Sequence, residues 1–240
     1  MNIIIPLAGS IKITKESHYP LLLHELLGKP LIEYVTDNLK TIKGNNTFYY
    51  ILNEKDCIKY HLDKTLKLLT PNCEITIIKT PCKGAVCSIL MAVDKINLSE
   101  ETIIVNSDQI FNKDLNSIHS FFTKNDCDGG VITFSSVHPR WSYILCDDNN
   151  NVLQAVEKNP ISKNAIAGFY YFKTFKLFLD CSFNSIEIED FHENKLYTSA
   201  LINQLVLLNK KVMNFSIDKE DYKSFFTIQK INEFEKNLIK

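Results

Sequence analysis

Apolar runs and amphipathic segments alternate along the first half of the chain. Residues 2–7 form a short β-branched run that ends just before Gly9, a pattern typical of a buried parallel strand. The same patterns predict strands at 48–53, 74–79 and 102–105, and helices at 30–39, 54–69 and 84–96. Strands that alternate with helices over short links favour a parallel, doubly wound sheet. Ligands of such sheets bind beyond the carboxyl ends of the strands.

The second half has a different pattern. Strand-like segments lie close together at 130–136, 141–146, 152–156 and 165–172, and the polar run 148–151 is a hairpin signal. Helices are predicted at 174–183, 197–208 and 229–238, with a strand at 212–217. No internal repeat or low-complexity linker interrupts the chain, so we expect one domain over residues 1–240.

Composition narrows the functional classes. The 240 residues are 45% hydrophobic, which is enough for one α/β domain with a sizeable core. The formal net charge of −1 leaves no basic excess for a nucleic-acid partner. No apolar stretch is long enough to span a bilayer and no basic signal-peptide region opens the chain, so we expect a cytoplasmic protein without membrane association. Seven cysteines without a Cys-Xaa-Xaa-Cys pair fit reduced thiols.

A polar cluster of Asn106, Ser107, Asp108 and Gln109 directly follows the predicted strand 102–105. A carboxylate at the end of a buried strand is well placed to hold a divalent cation that bridges phosphates. Asp108 could equally cap the next element, and position alone does not separate the two roles. The accompanying polar residues favour the functional one.

Two features of the second half are candidates for ligand binding. Glu157 and Lys158 follow a predicted strand; they are either solvated surface charges or a pair that binds sugar hydroxyls and a phosphate. Gly168 interrupts an apolar strand, which indicates either close approach by a ligand or a β-bulge.

Three further residues have structural and functional interpretations. Gly84 opens a predicted helix whose positive end could face an anionic ligand, although a glycine there is also ordinary helix punctuation. Trp141, the only tryptophan, is expected in the core or as an anchor between sheet and loop. Tyr143 should face the same way as Trp141, because side chains two apart on a strand share a face.

Five short motifs carry a family resemblance. They are Ala8-Gly9, Gly28-Lys29-Pro30, Ser107-Asp108, Glu157-Lys158 followed by Pro160, and the Gly-Xaa-Tyr-Tyr-Phe run at 168–172. Together they resemble the sugar-1-phosphate nucleotidyltransferases, the pyrophosphorylases that make nucleotide sugars. The run 138–173 is especially similar to a branch of that family found with bacterial surface-polysaccharide genes.

The resemblance implies a fold and a set of roles. The fold would be of the nucleotide-diphospho-sugar transferase type (GT-A-like, Rossmann-like), with a mixed, mainly parallel central sheet flanked by helices. Residues 1–110 would bind a nucleoside triphosphate, and residues 111–240 a phosphorylated small-molecule acceptor. Asp108 would hold Mg²⁺. The nucleotide would meet Leu7, Ala8, Gly9 and Gly84, and the acceptor would meet Asn106, Tyr143, Glu157, Lys158 and Gly168.

The chain departs from the family in the phosphate loop. The family reads Gly-Xaa-Gly-Xaa-Arg and later Pro-Lys, so that backbone N–H groups cradle phosphates and the arginine grips the departing pyrophosphate. Here Ile13 stands for the arginine and Leu21 for the lysine. Lys12 and Lys15 are the candidates to receive the pyrophosphate instead.

Three further features affect the expected chemistry. His24 could approach the α-phosphate if its segment is extended, and Ser224 is the nearest match to the second metal carboxylate of some members. The segment 19–27 is unusually apolar, so we expect it to pack under neighbouring helices or against another chain of a homo-oligomer. Two missing cations then predict weak or absent pyrophosphorylase activity.

The sequence is compatible with three functions. The first is a nucleotidyltransferase of surface-polysaccharide biosynthesis. The second is a degenerate homologue that binds or regulates without turnover. A glycosyltransferase on the same broad fold ranks last, because it usually needs an Asp-Xaa-Asp motif and the stretch 106–108 offers one carboxylate.

Overall fold

A computed structural model describes residues 1–9 and 20–238. In chain order its strands are β1 (Asn2–Leu7), β2 (Glu25–Leu26), β3 (Lys29–Pro30), β4 (Thr47–Asn53), β5 (Glu74–Ile78), β6 (Thr102–Val105), β7 (Gln109–Phe111), β8 (Gly129–Ser135), β9 (Tyr143–Cys146), β10 (Val152–Val156), β11 (Asn164–Phe172), β12 (Val212–Ile217) and β13 (Tyr222–Ser224). The helices are α1 (Leu31–Lys40), α2 (Glu54–Tyr60), α3 (Leu62–Leu69), α4 (Ala85–Leu90), α5 (Leu115–Lys124), α6 (Phe175–Glu187), α7 (Thr198–Leu207) and α8 (Ile228–Leu238).

One mixed sheet runs through the molecule. Its order is β10-β9-β11-β6-β1-β4-β5, and β8 lies on the other edge of β11 with β12 beyond it. The strands from β6 to β5 are parallel, as are β8 and β12, whereas β11 is antiparallel to each of its neighbours. The mixed sheet flanked by helices confirms the predicted fold class.

The strand β11 creates the opening that becomes the site. One of its edges pairs with β8 along most of its length. Its other edge pairs with β9 only at Asn164 and Ala165, and with β6 only from Phe169 onward. The sheet therefore splits between β9 and β6, and Gly168 lies in the gap.

Both faces of the sheet are buried, which explains the continuous apolar runs of its parallel strands. Along β1, Ile3 and Ile5 belong to the hydrophobic layer that includes residues of α1, α3 and α5. Ile4 points to the opposite layer, which includes residues of α4, α6 and α7. None of the helices in the described parts of the chain has the length and apolar character needed to cross a membrane.

The single helix predicted at 54–69 is wrong. It is divided into α2 and α3 by His61, whose φ of 54° places it in the left-handed region. This break shifts the buried face of the segment. Ile58 is 72% exposed, whereas Cys57 and Leu62 are buried.

The helix predicted at 84–96 is shorter than expected. The α-helical part ends at Leu90, and the following turns close through bonds three residues apart, from Met91 N–H to Ser88 and from Ala92 N–H to Ile89. With only six residues, α4 has a weak dipole to offer a ligand.

Candidate active site

A cleft of about 570 Å³ opens at the carboxyl ends of the central strands. This volume lies in the range of small-molecule sites, and the position is the one expected for ligands of open α/β sheets. One wall comes from the first half of the chain and includes Ala8, Gly9, Asn53, Gly84 and Asn106. The facing wall comes from the second half and includes Trp141, Ser142, Glu157, Lys158, Gly168 and Tyr170.

Glu157 is held by two serines. Its Oε2 accepts hydrogen bonds from Ser142 Oγ, just before β9, and from Ser199 Oγ, at 2.7 Å, in the first turn of α7. Three separate segments thus fix one partly buried carboxylate. A carboxylate has about four acceptor positions, so it keeps acceptor capacity for hydroxyl groups of a ligand in the cleft.

Gly168 lines the cleft and also marks a bulge. Its φ is 64°, and the β11 register shifts between Ile166 and Tyr170. Its carbonyl accepts from Asn106 N–H at 3.0 Å and from Gln109 Nε2 at 2.9 Å. A Cβ here would lie 2.4 Å from Asn106 Nδ2, so protein side chains occupy the space that the missing side chain leaves.

Gly84 also lines the cleft, but its lack of a side chain has a structural cause. It has a φ of 97°, and a Cβ would lie 2.4 Å from the carbonyl oxygen of Leu196. Leu196 donates its N–H to Lys83 and accepts from Val86 N–H, so the segment before α7 is bonded on both sides of the glycine. The glycine therefore allows the backbone contact that holds the segment of Lys195 and Tyr197. These two residues line a third side of the cleft.

Lys158 reaches the cleft with a partner already in place. Its ammonium forms an ion pair with Glu193, and it lies 5.5 Å from the centre of the Tyr197 ring. The hydrogen bond to Glu193 raises the pKa of Lys158, and burial opposes this rise. The positive charge offered to a ligand is thus shared with a carboxylate.

Asp108 is half-buried beside the cleft, where β13 pairs with β7. Its carbonyl accepts from Phe225 N–H at 2.7 Å, and Ser224 pairs with Gln109. Burial raises the pKa of Tyr222, and the Asp108 carboxylate adds to that rise. No cluster of three or more His, Cys, Asp or Glu side chains suited to a metal occurs within 1–9 and 20–238.

Two predicted contacts lie outside the cleft. Tyr143 is fully buried in the core and its hydroxyl donates to the carbonyl of His138 at 2.7 Å, so its assignment to the acceptor is corrected. Leu7 is likewise a core residue behind Ala8 and Gly9. Lys12 and Lys15 lie outside the described residues.

The apolar segment after the loop packs inward. Leu21 is 6% exposed, and with Leu22 and Leu26 it belongs to the hydrophobic layer that includes residues of α1. For these three leucines the expected packing under neighbouring helices is confirmed, whereas Leu27 is 51% exposed. A lysine at position 21 would point into that layer.

Arg140, the only arginine of the chain, was not predicted from the sequence as a site residue. It lines both the cleft and a neighbouring pocket of about 740 Å³ that contains aromatic side chains of β8, β13 and α8. Its guanidinium lies 3.9 Å from the centre of the Trp141 ring and 3.3 Å from that of Phe226. A single arginine beside the single tryptophan was the signal in the sequence.

Comparison with known proteins gives a consistent result. The family model described as Nucleotidyl transferase matches residues 11–220. Over 182 residues, the chain is 28% identical to the bifunctional protein GlmU of Thermodesulfovibrio yellowstonii, which covers 72% of this chain and 38% of that protein. The chain spans between 33% and 43% of the length of the curated relatives it matches.

Solved structures share the fold. A nucleoside-diphosphate-sugar pyrophosphorylase from Vibrio cholerae superposes with a TM-score of 0.82 at 19% identity, over 98% of this chain and 99% of that one. The inositol-1-phosphate CTP transferase from T. maritima superposes with a TM-score of 0.75 at 14% identity, over 99% and 95%.

Proposed function

This chain belongs to the sugar-1-phosphate nucleotidyltransferase family, and from that premise we propose that it transfers a nucleoside monophosphate from a nucleoside triphosphate to a phosphorylated small molecule. The acceptor is a sugar phosphate or a related phosphorylated or phosphonylated compound. The observation that carries the proposal is the cleft itself, which brings Ala8, Gly9 and Gly84 opposite Glu157 and Lys158. Residues 1–110 supply the nucleotide wall in this proposal, and residues 111–240 most of the acceptor wall.

The reaction is a phosphoryl substitution. A phosphate oxygen of the acceptor attacks the α-phosphorus, a new P–O bond forms, and the bond to the β-phosphate breaks to release pyrophosphate. The chain contributes mainly position and charge. Glu157, fixed by its serines, orients acceptor hydroxyls, and the backbone near Gly9 receives the nucleotide.

Members of this family commonly use a divalent metal. Mg²⁺ is typically bound through one or two carboxylates together with substrate phosphates, so one protein carboxylate, that of Asp108, fits a site completed by the substrates. Asp108 would hold the ion in this proposal, and the ion would neutralise phosphate charge. A role in surface-polysaccharide synthesis is supported by the similarity of the run 138–173 to that branch.

Product analysis tests the proposal. The purified chain is incubated with Mg²⁺, each of the common nucleoside triphosphates and a set of sugar 1-phosphates and polyol phosphates. Mass spectrometry should detect the matching nucleotide-diphosphate product for at least one pair. The absence of product from every pair, with an active relative run alongside, would contradict the proposal.

A second candidate is a binding or regulatory protein that has lost turnover. The buried position of Leu21 favours it, since the family's lysine contact with the attacked phosphate is then missing from this position. Losing one such contact costs about 3–4 kcal/mol of transition-state stabilisation. Thermal shift separates the candidates: a metal-dependent stabilisation by triphosphate supports the enzyme, whereas acceptor binding without any triphosphate effect supports the binding protein.

A further inference from the structure

Arg140 has the features of a preformed anion-binding group. It lies in the segment between β8 and β9, next to Trp141 and Ser142, and it is partly buried. Aromatic rings lie within stacking distance of its guanidinium, Trp141 at 3.9 Å and Phe226 at 3.3 Å. The planar guanidinium presents its N–H groups as a rigid fork, which suits a phosphate or carboxylate.

Those N–H groups have no acceptor within residues 1–9 and 20–238. No hydrogen bond or ion pair of the Arg140 side chain occurs there, and its only hydrogen bond is from the backbone N–H to His138 Nδ1. Burial lowers the pKa of the guanidinium, an effect that Tyr222 and Asp108 partly offset. A partly desolvated cation without a bonded partner is costly, and a bound anion would recover that cost.

The position of Arg140 in the sheet favours the acceptor over the triphosphate. Arg140 leads into β9, whereas Gly9 follows β1, and β11 and β6 lie between those two strands. The next residues after Arg140 lead to Ser142, which bonds the Glu157 carboxylate on the acceptor wall. Lys158, the other cation of that wall, is paired with Glu193.

We propose that Arg140 binds the phosphate or phosphonate group of the acceptor and thereby selects anionic over neutral small molecules. This inference rests on the proposed function, because it assigns one group of the acceptor to one side chain of the same cleft. The neighbouring aromatic rings hold the guanidinium in place.

The only tryptophan provides a direct readout, because Arg140 lies over its ring. Titration of the wild-type chain with glucose 1-phosphate, and separately with inorganic phosphate, should change Trp141 emission in a saturable way. Glucose should not. Arg140→Gln should weaken glucose 1-phosphate binding by about tenfold to a hundredfold, the effect of losing charge-assisted hydrogen bonds. Arg140→Lys should recover only part of the loss, since lysine lacks the flat, forked donor.

Controls separate binding from packing. Lys223→Gln removes a cation that lines the aromatic pocket but not the cleft, and it should leave binding unchanged. Calorimetry repeats each titration without relying on Trp141, and thermal melts show whether Arg140→Gln remains folded. Wild-type affinity in a folded Arg140→Gln, or no binding of any phosphate ester by the wild type, overturns the inference.

The two proposals fail differently. If Arg140→Gln abolishes stabilisation by nucleoside triphosphate and leaves glucose 1-phosphate binding intact, Arg140 contacts the triphosphate and the inference is wrong while the transfer reaction stands. If glucose 1-phosphate binding depends on Arg140 but no triphosphate yields a product, the binding role stands and the proposed reaction fails.

Discussion

At the scale of single residues, Arg140 joins the cleft to the neighbouring aromatic pocket, because its side chain lines both. Ala8, Gly9 and Asn106 follow strand ends, and parallel strands bring their carboxyl ends to one edge, so proximity could be predicted. Arg140 could not be placed in this way, because it lies between strands and its orientation depends on Phe226, which is 86 residues away.

At position 21, the burial of the side chain opposes the substitution that the family motif suggests. The family's lysine suggests Leu21→Lys, alone or with Ile13→Arg, as a way to restore activity. Because Leu21 is buried in the apolar core, we expect Leu21→Lys to lower the free energy of unfolding by about 3 kcal/mol or more. Urea unfolding checks this, with the exposed Leu68→Lys as control. An equally stable Leu21→Lys with tighter nucleotide binding would show that this side chain can face the cleft.

Glu193 is predicted to restrain Lys158. Glu193→Gln removes the carboxylate of the ion pair, so the ammonium should become available to an anionic acceptor. We expect binding of glucose 1-phosphate to tighten by up to about fivefold, the usual limit for an exposed pair. Calorimetry against the exposed Glu187→Gln measures the effect. Weaker binding in Glu193→Gln would mean that Glu193 itself contacts the acceptor or orders the wall.

At the scale of elements, periodicity gave most strands within one or two residues but did not reveal breaks. His61 divides the helix predicted at 54–69 through one left-handed residue, and no glycine or proline signals it. The helix α5 was missed, although Leu115, Ile118 and Phe122 have helical spacing and Asp114 caps the first turn. The pairing of β13 with β7 joins three-residue strands that are more than 100 residues apart, which local patterns cannot predict.

Gly84 links α4 to the turn that precedes α7. Gly84→Ala would place a methyl group against the Leu196 carbonyl at a positive φ, so we expect a loss of about 2–4 kcal/mol of unfolding free energy. Gly28→Ala is the matched control, because Gly28 has a φ of 81° but no atom near its missing Cβ. The difference between the two variants in urea unfolding isolates the contact. Equal losses would show that backbone strain alone requires the glycine.

At the scale of the whole molecule, the sheet joins the two halves through β6 and β11. The parallel half followed from the alternation of strands and helices. The antiparallel pairings around β11, and with them the gap that forms the cleft, depend on which strands meet and were not available from patterns. The family resemblance implied only a mixed, mainly parallel sheet flanked by helices, and the structural neighbours confirm that fold.

Below neutral pH, the global stability should depend on Glu101, which lies just before β6 at the opposite end of this junction. Its carboxylate accepts from Tyr171 OH at 2.9 Å and lies 2.9 Å from His119 Nε2. The hydrogen bond with His119, and then that from Tyr171, hold the pKa of Glu101 below its usual value of 4.5, although burial opposes the shift. A lowered folded-state pKa gives stability that is present above the unfolded pKa and is lost as the pH falls through the folded one.

Unfolding free energies measured from about pH 6 down to about pH 3 should therefore fall less steeply in Glu101→Gln than in the wild type. The exposed Glu187→Gln should follow the wild-type curve. If Glu101→Gln and the wild type lose stability in parallel over this range, the carboxylate does not contribute in its ionised form.

We propose that this cleft performs metal-dependent nucleotidyl transfer through Asp108. Pyrophosphate release tests it most directly, measured with the productive triphosphate and sugar phosphate for the wild type, Asp108→Asn and the exposed Asp148→Asn. We expect Mg²⁺-dependent release by the wild type, slower than the usual enzyme range of about 1–1,000 per second because Ile13 and Leu21 stand where the family has an arginine and a lysine. Asp148→Asn should match it, and Asp108→Asn should fall by about two to three orders of magnitude with an unchanged melting temperature. Undiminished release in Asp108→Asn, or none above background in the wild type, would contradict the account.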